Sequence, residues 1–164
     1  MKELLINLER CLGCKSCELA CAVEHSLSKE LFGAVWEKLP PLPRIYVEAG
    51  GELNFPLQCH HCSDARCIKA CITGALWREE ESGLVNHHKE KCIGCWMCVM
   101  TCPFGVIVQD RREQIALKCD RCPDREIPAC VEACPTKAIS LEEVPSFAKG
   151  KRKEYLTSFT KPDL

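Results

Sequence analysis

The sequence predicts a small α+β fold, written twice, in which short strands and single helical turns gather around metal ligands in place of a full apolar core. Three observations predict it. All sixteen cysteines of the 164 residues fall into four quartets, with none left over. The quartets alternate between two types, so the chain repeats itself. Leu, Ile and Val are spread thinly between them, and each half is near the size at which an apolar core alone gives marginal stability. Metal binding and folding are therefore expected to be coupled.

The quartets are Cys11, Cys14, Cys17, Cys21; Cys59, Cys62, Cys67, Cys71; Cys92, Cys95, Cys98, Cys102; and Cys119, Cys122, Cys130, Cys134. The first and third read C-x2-C-x2-C-x3-C, and Pro103 follows the third. That spacing holds a 4Fe-4S cluster in bacterial ferredoxins. The second and fourth are looser, with a longer gap before the third cysteine. Four quartets predict four 4Fe-4S clusters. Each quartet supplies four thiolates, so no iron is left open for a substrate, and the chemistry expected is electron transfer rather than catalysis.

The elements follow in order. Leu4–Leu8 reads as a strand leading into the first quartet, and Leu84–Asn86 as its counterpart before the third. Gly13 and Gly94, between the first two ligands, permit a tight loop that turns N–H groups toward the cluster. Cys17–Cys21 and Ile68–Cys71 suit one or two helical turns, and Pro103 and Pro135 end such turns. Ala75-Leu76, Val106–Val108 and Ala138–Ser140 read as short strands leaving the ligands. The insertion begins as an irregular helix, Glu24–Lys38, carrying Phe32 and Trp36. Leu39–Pro43 must be extended. Arg44–Glu48 then reads as a strand with Gly50-Gly51 as its turn.

The repeat is explicit. Glu9-Arg10-Cys11-Leu12-Gly13-Cys14 matches Glu90-Lys91-Cys92-Ile93-Gly94-Cys95. Gln58-Cys59-His60-His61-Cys62 matches Lys118-Cys119-Asp120-Arg121-Cys122, and Ile68–Leu76 matches Val131–Ile139. Duplication of a two-cluster unit explains the order.

Two other uses of cysteine compete with this one. A disulfide scaffold suits short secreted chains, but the start MKELLINLERC lacks an apolar h-region. Zinc sites use two C-x2-C pairs and need no third cysteine two residues on; zinc is more credible for the second and fourth quartets. No stretch approaches the roughly 18 apolar residues of a membrane span.

The formal net charge of −1 counts every cysteine as neutral. An oxidised cubane core carries +2 and its thiolates −4, so four sites add roughly −8. Lys15, Arg66, Lys69, Lys91, Lys118 and Arg121 lie near ligands and either offset this charge or are ordinary surface charges. The pairs His60-His61 and His87-His88 read as polar loop residues, Trp96 as a shield over a cluster, and Met97 and Met100 as core.

With these motifs in hand, the sequence resembles the four-cluster, ferredoxin-type electron-transfer subunits of anaerobic oxidoreductases. These serve formate dehydrogenases, formate hydrogenlyase, molybdopterin reductases and CO dehydrogenase. The resemblance covers residues 9–140. Cys92–Met100 and Cys102–Gly105 are most similar to the CO-dehydrogenase-associated ferredoxin and the small subunits of tungsten aldehyde or aromatic-acyl oxidoreductases. Cys130–Ile139 is shared more broadly. Ala22 after Cys21 and Ile72 after Cys71 depart from the proline of many relatives.

The resemblance implies two nested ferredoxin-like halves related by a pseudo-twofold duplication. Residues 1–21 with 119–143 would form one half and 58–108 the other, with 22–57 an insertion or covering flap and 144–164 a C-terminal docking tail. It implies these ligand sets: Cys11, Cys14, Cys17 with Cys134; Cys119, Cys122, Cys130 with Cys21; Cys59, Cys62, Cys67 with Cys102; and Cys92, Cys95, Cys98 with Cys71. Spacing alone leaves open that each quartet closes on itself. The expected function is a non-catalytic, cytoplasmic electron-transfer subunit. Its partner would be a tungsten or molybdenum-pterin enzyme, CO dehydrogenase or hydrogenase, with a flavin subunit or soluble ferredoxin as a further exchange partner. The alternatives are a free polyferredoxin and, in another class, a zinc-stabilised interaction or nucleic-acid-binding protein. Lys149–Lys153 is too short a basic run to argue for nucleic acid.

Overall fold

A computed structural model describes residues 2–160. Strand β1 (Lys2–Ile6) opens the fold and pairs antiparallel with β8 (Ile139–Glu143), Leu4 facing Leu141 and Ile6 facing Ile139. The first strand is thus closed by the strand that leaves the last quartet. Helix α1 (Ser16–Glu24) carries Cys17 and Cys21 and packs on α5 (Ala129–Glu132), which carries Cys130.

The same plan recurs between residues 66 and 101. Helix α3 (Arg66–Lys69) packs on α4 (Met97–Thr101), while β4 (Leu76–Arg78) pairs with β5 (Val85–His87). Two further antiparallel hairpins complete the sheets, β2 (Ile45–Gly50) with β3 (Leu53–Gln58) and β6 (Val108–Asp110) with β7 (Ile115–Leu117). Among the described residues every sheet has only two strands, too little to stand alone in water. Packing around the cysteines must supply the rest.

The cores are therefore partly sulfur. Leu4, Ile45, Val47, Ala138 and Ile139 pack with Cys17, Cys21, Cys130 and Cys134. Ala65, Leu76, Val85, Ile107 and Ala116 pack with Cys98. A small third group, Val106 with Cys59 and Cys119, joins them.

Several expectations change. The first strand ends at Ile6, because Leu8–Arg10 curls into a 3-10 turn whose carbonyl at Leu8 accepts the Cys11 N–H at 3.0 Å. Glu24–Lys38 is not one helix. Ser26 breaks it: its hydroxyl donates to the Val23 carbonyl at 2.6 Å and accepts the Lys29 N–H at 2.9 Å. Only α2 (Leu31–Trp36) resumes the helix, with Phe32 and Trp36 82% and 85% exposed. Met97 and Met100 are exposed rather than core, since α4 turns its cysteine inward and its methionines out. The strands β3 and β7 have no counterpart among the elements expected from the sequence.

The expected segment boundaries also shift. Helix α1 crosses residue 21 to end at Glu24. Part of the insertion, Ile45 and Val47, is core rather than cover. Ala116, beyond residue 108, packs into the second core. The C-terminal segment is a helix, α6 (Val144–Thr160), which packs on β1 and β8. Lys151 reaches Glu9 at 3.0 Å, and Glu154 pairs with Arg10. Residues 161–164 of the expected docking tail lie outside the described residues.

Ile139, fully buried against the cysteine core, should cost about 2–4 kcal/mol on replacement by Ala. Phe32→Ala, on an open face, should stay within about 0.5 kcal/mol. Anaerobic denaturant titration of both variants reads the difference.

Candidate metal centres

Each quartet sits on a loop bent by the same device. The second residue after the first cysteine is left-handed in all four: Gly13 (φ 68°), His61 (φ 47°), Gly94 (φ 65°) and Arg121 (φ 62°). A left-handed residue beside right-handed ones points successive N–H groups to one side, the geometry that receives an anion; Lys15, Trp96 and Cys122 in these loops are left-handed as well. Glycine takes this conformation without cost, whereas other residues are disfavoured there by about 1–2 kcal/mol. The two non-glycine positions are therefore anchored by their side chains. His61 is 7% exposed and its Nδ1 accepts the Val85 N–H at 3.0 Å. Arg121 pairs with Glu3 and donates to the Lys2 carbonyl at 2.9 Å.

The fourth cysteine of each run lies with the first three of another run. Cys11, Cys14, Cys17 and Cys134 line one cavity (site I). Cys59, Cys62, Cys67 and Cys102 line a second (site III), and Cys71, Cys92, Cys95 and Cys98 a third (site IV). Cys21, Cys119, Cys122 and Cys130 form site II. Burial, then the neighbouring Cys119, Cys21 and Cys122, push the Cys130 thiol up. Burial pushes Cys21 up to about 12, with the Cys119 and Cys122 thiols adding to it.

The sites stand in series. Cys17 of site I and Cys130 of site II share one core and feel each other's charge. Cys119 of site II and Cys59 of site III pack together. Cys67 of site III lies beside Cys98 of site IV.

Backbone and hydroxyl groups converge on the sulfurs. The Cys21 Sγ accepts the Arg44 N–H at 3.2 Å, the Cys119 Sγ that of Arg121 at 3.4 Å, and the Cys134 Sγ that of Ala138 at 3.2 Å. Ser16 lies 3.4 Å from Cys14, and the Ser16 hydroxyl and N–H hold that thiol below its ordinary value. Thr73 and Thr136, equivalent in the repeat, each sit 3.7 Å from a fourth cysteine, Cys71 and Cys134. Burial opposes ionisation of both these thiols, but backbone N–H groups and the threonines outweigh it and lower them.

Four thiolates around a cavity fit a 4Fe-4S core and fit zinc poorly. Tetrahedral Zn–S bonds of about 2.3 Å would draw the sulfurs to about 3.8 Å apart. Among the described residues, no three cysteine sulfurs lie within 4.8 Å of one another. At site III, moreover, the Nε2 of His61 is buried with no protein partner, a donor free for a group inside. The one compact metal-like trio among the described residues, His25, Asp120 and Cys122, is explained without a metal. His25 contacts Asp120 at 3.1 Å, and Asp120 also pairs with Arg44. Burial works against charge on Asp120, yet the His25 hydrogen bond and the Arg44 guanidinium hold its carboxyl well below the usual range.

Sequence reasoning missed this His25–Asp120–Arg44 link between the insertion and site II. No motif signals it, because its members are 76 and 95 residues apart. It also placed all four paired histidines on solvated loops. His60 and His88 are exposed, but His61 is buried and His87 half-buried. Trp96 is half-buried along the wall of site IV, at φ 63°. Of the basic residues singled out near the ligands, Lys118 is the one inside the protein. Lys15 pairs with Glu18 and Lys69 with Asp64 at the surface.

Residues 52–144 match the 4Fe-4S dicluster domain, and residues 8–24 match a 4Fe-4S binding domain. The sequence is 41% identical over 157 residues to an iron-sulfur protein of Rhodospirillum rubrum, covering 86% of this protein and 82% of that one. It is 36% identical over 154 residues to the electron transport protein HydN of Escherichia coli K12, covering 83% and 85%. It is 33% identical over 162 residues to one subunit of the anaerobic dimethyl sulfoxide reductase of the same strain, covering 88% and 74%.

The two loop glycines should differ in tolerance. A Cβ on Gly94 would lie 2.5 Å from the Gln114 carbonyl oxygen, which is main chain and cannot yield, whereas one on Gly13 meets the movable side chain of Asn54 at 2.7 Å. Both Ala variants bear left-handed strain of about 1–2 kcal/mol. Gly94→Ala should lose more iron and more stability than Gly13→Ala, read by iron assay and anaerobic denaturation.

Proposed function

This protein belongs to the 4Fe-4S dicluster domain family, and on that premise we propose that it is an electron-transfer subunit. Four 4Fe-4S clusters would form its wire between a catalytic oxidoreductase subunit and an external carrier or second enzyme. The family carries electrons through iron-sulfur clusters, and this protein does the same. The observation that carries this reading is the succession of four cysteine-lined sites, each in contact with the next. When bound, a 4Fe-4S cluster takes up and gives back an electron with little change in geometry.

The protein's own residues do three things in this reading. The sixteen cysteines close every site, with three ligands from one loop and the fourth from another run, so the two halves are nested rather than sequential. The N–H groups of Arg44, Arg121 and Ala138 and the hydroxyls near Cys14, Cys71 and Cys134 stabilise thiolate charge and favour the reduced state. Apolar side chains pack beside the cysteines of the inner sites, Ile45 and Val47 with Cys21 and Cys130, and Val106 with Cys59 and Cys119. In this reading the chemistry would belong to the partner subunit.

A partner has exposed surface to use. On α6, Tyr155, Leu156 and Phe159 are exposed and close together, Tyr155 edge-on to Phe159 at 4.9 Å. Leaving such side chains in water forgoes about 1.5–3 kcal/mol each. This supports docking through α6. No helix among the described residues is long and apolar enough to cross a membrane.

Anaerobically purified protein should contain about sixteen irons and sixteen sulfides per molecule; near eight, or zinc in place of iron, contradicts the four-site wire. Cys21→Ser should disturb the cluster held by Cys119, Cys122 and Cys130 and leave that of Cys11, Cys14 and Cys17 intact. Electron paramagnetic resonance of the variant distinguishes this from damage within its own run. Replacing Tyr155, Leu156 and Phe159 together by Ser should leave iron content unchanged and weaken co-purification with the partner. A free polyferredoxin would show no partner to lose.

A further inference from the structure

Lys118 lies inside the protein, 4% exposed, and among the described residues no carboxylate stands within ion-pair distance of it. Its Nζ donates instead to two main-chain carbonyls. One belongs to Val85, and the other to Cys119 at 2.6 Å. Val85 is a wall residue of site III, and Cys119 is a cysteine of site II. The ammonium therefore spans the junction between the two inner sites.

A buried ammonium without a counterion is costly, by several kcal/mol after relaxation. Two carbonyl dipoles offset part of that. An occupied site supplies the rest: an oxidised core of +2 within four thiolates is −2, and a reduced one is −3. The attraction grows when the electron arrives, so a fixed cation favours the reduced state. The surrounding groups feel this charge. Burial raises Cys67 and Cys119, and Lys118 pulls against it at both. Burial first, and then Lys118, depress His61 to about 3 and lower His87 as well.

The duplication sharpens the point. The residue equivalent to Lys118 is Gln58, also buried, at 2% exposure. The fold accommodates a neutral amide at this position in one half and carries a cation in the other. Shape does not demand the charge.

We propose that Lys118 is the shared countercharge of the two inner 4Fe-4S sites, and that it raises the reduction potentials of both relative to the two outer sites. This rests on the four-site reading above. Electrons entering at either end would then collect on the inner pair.

The test is a redox titration, followed by electron paramagnetic resonance, of the full-length protein purified anaerobically with its clusters. Wild type, Lys118→Gln, Lys118→Met and Lys118→Arg are compared. A wild type with fewer than about sixteen irons refutes the four-site reading itself, before any variant is read. With full iron, Lys118→Gln should move two of the four reduction steps to lower potential and the other two much less. Lys118→Arg should stay near wild type. Loss of about half the iron in both neutral variants, with full iron in Lys118→Arg, also supports the countercharge. Four unmoved steps in Lys118→Gln overturn the proposal, as do four steps that move together. A Lys118→Arg variant that behaves like Lys118→Gln, in potential or in iron loss, overturns it too.

Discussion

The fold depends on a division of labour within each cysteine run: the first three cysteines stand together and the fourth stands with those of another run. Three ligands on one short loop cannot surround a cube, since all approach from the same side. Here the fourth sulfur comes from a distant part of the sequence. Cys134 meets the loop of Cys11–Cys17, and Cys102 meets that of Cys59–Cys67. From this follow the pairing of β1 with β8, the packing of α1 on α5 and of α3 on α4, and the shortness of every sheet. In the four-cluster reading, two-stranded hairpins and mostly short helices would suffice, because the clusters would tie together segments that an apolar core of this size would hold weakly.

The same arrangement sets the electrostatics. Packing sixteen thiolates into a protein of this length concentrates negative charge, and the structure answers with dipoles and few charges. Left-handed residues at one position of each loop turn N–H groups inward, by glycine in two loops and by anchored side chains, His61 and Arg121, in the other two. Arg44 serves twice, donating its N–H to Cys21 and pairing through its side chain with Asp120. Formal positive charge is rare inside, which gives the buried Lys118 its weight.

Much of the architecture is legible in the sequence. The quartets, their A-B-A-B order and the short strands that flank them follow from cysteine spacing and the repeat. The loops of Gly13 and Gly94 are legible because only one residue type takes that conformation freely. Other features have no local signature. Whether a quartet closes on itself or lends its fourth cysteine is a question of chain path, which spacing leaves open. His61 and Arg121 do the work of a glycine through contacts with Val85 and Glu3, 24 and 118 residues away. Met97 and Met100 look like core by composition, yet α4 is a single turn whose inward face is taken by Cys98. The break at Ser26 comes from side-chain hydrogen bonds that no apolar period reveals. The C-terminal helix is held through ion pairs at Glu9 and Arg10, while its aromatic residues stay exposed.

The central claim is spatial: four clusters in a row, each held across two cysteine runs. An anomalous-difference map at the iron edge, from anaerobically grown crystals, tests it most directly. Four iron peaks in series are expected, in the order of sites I to IV, with Cys134, Cys21, Cys102 and Cys71 each reaching the peak of another run's first three cysteines. Fewer peaks, or peaks each enclosed by the four cysteines of one run, would contradict it.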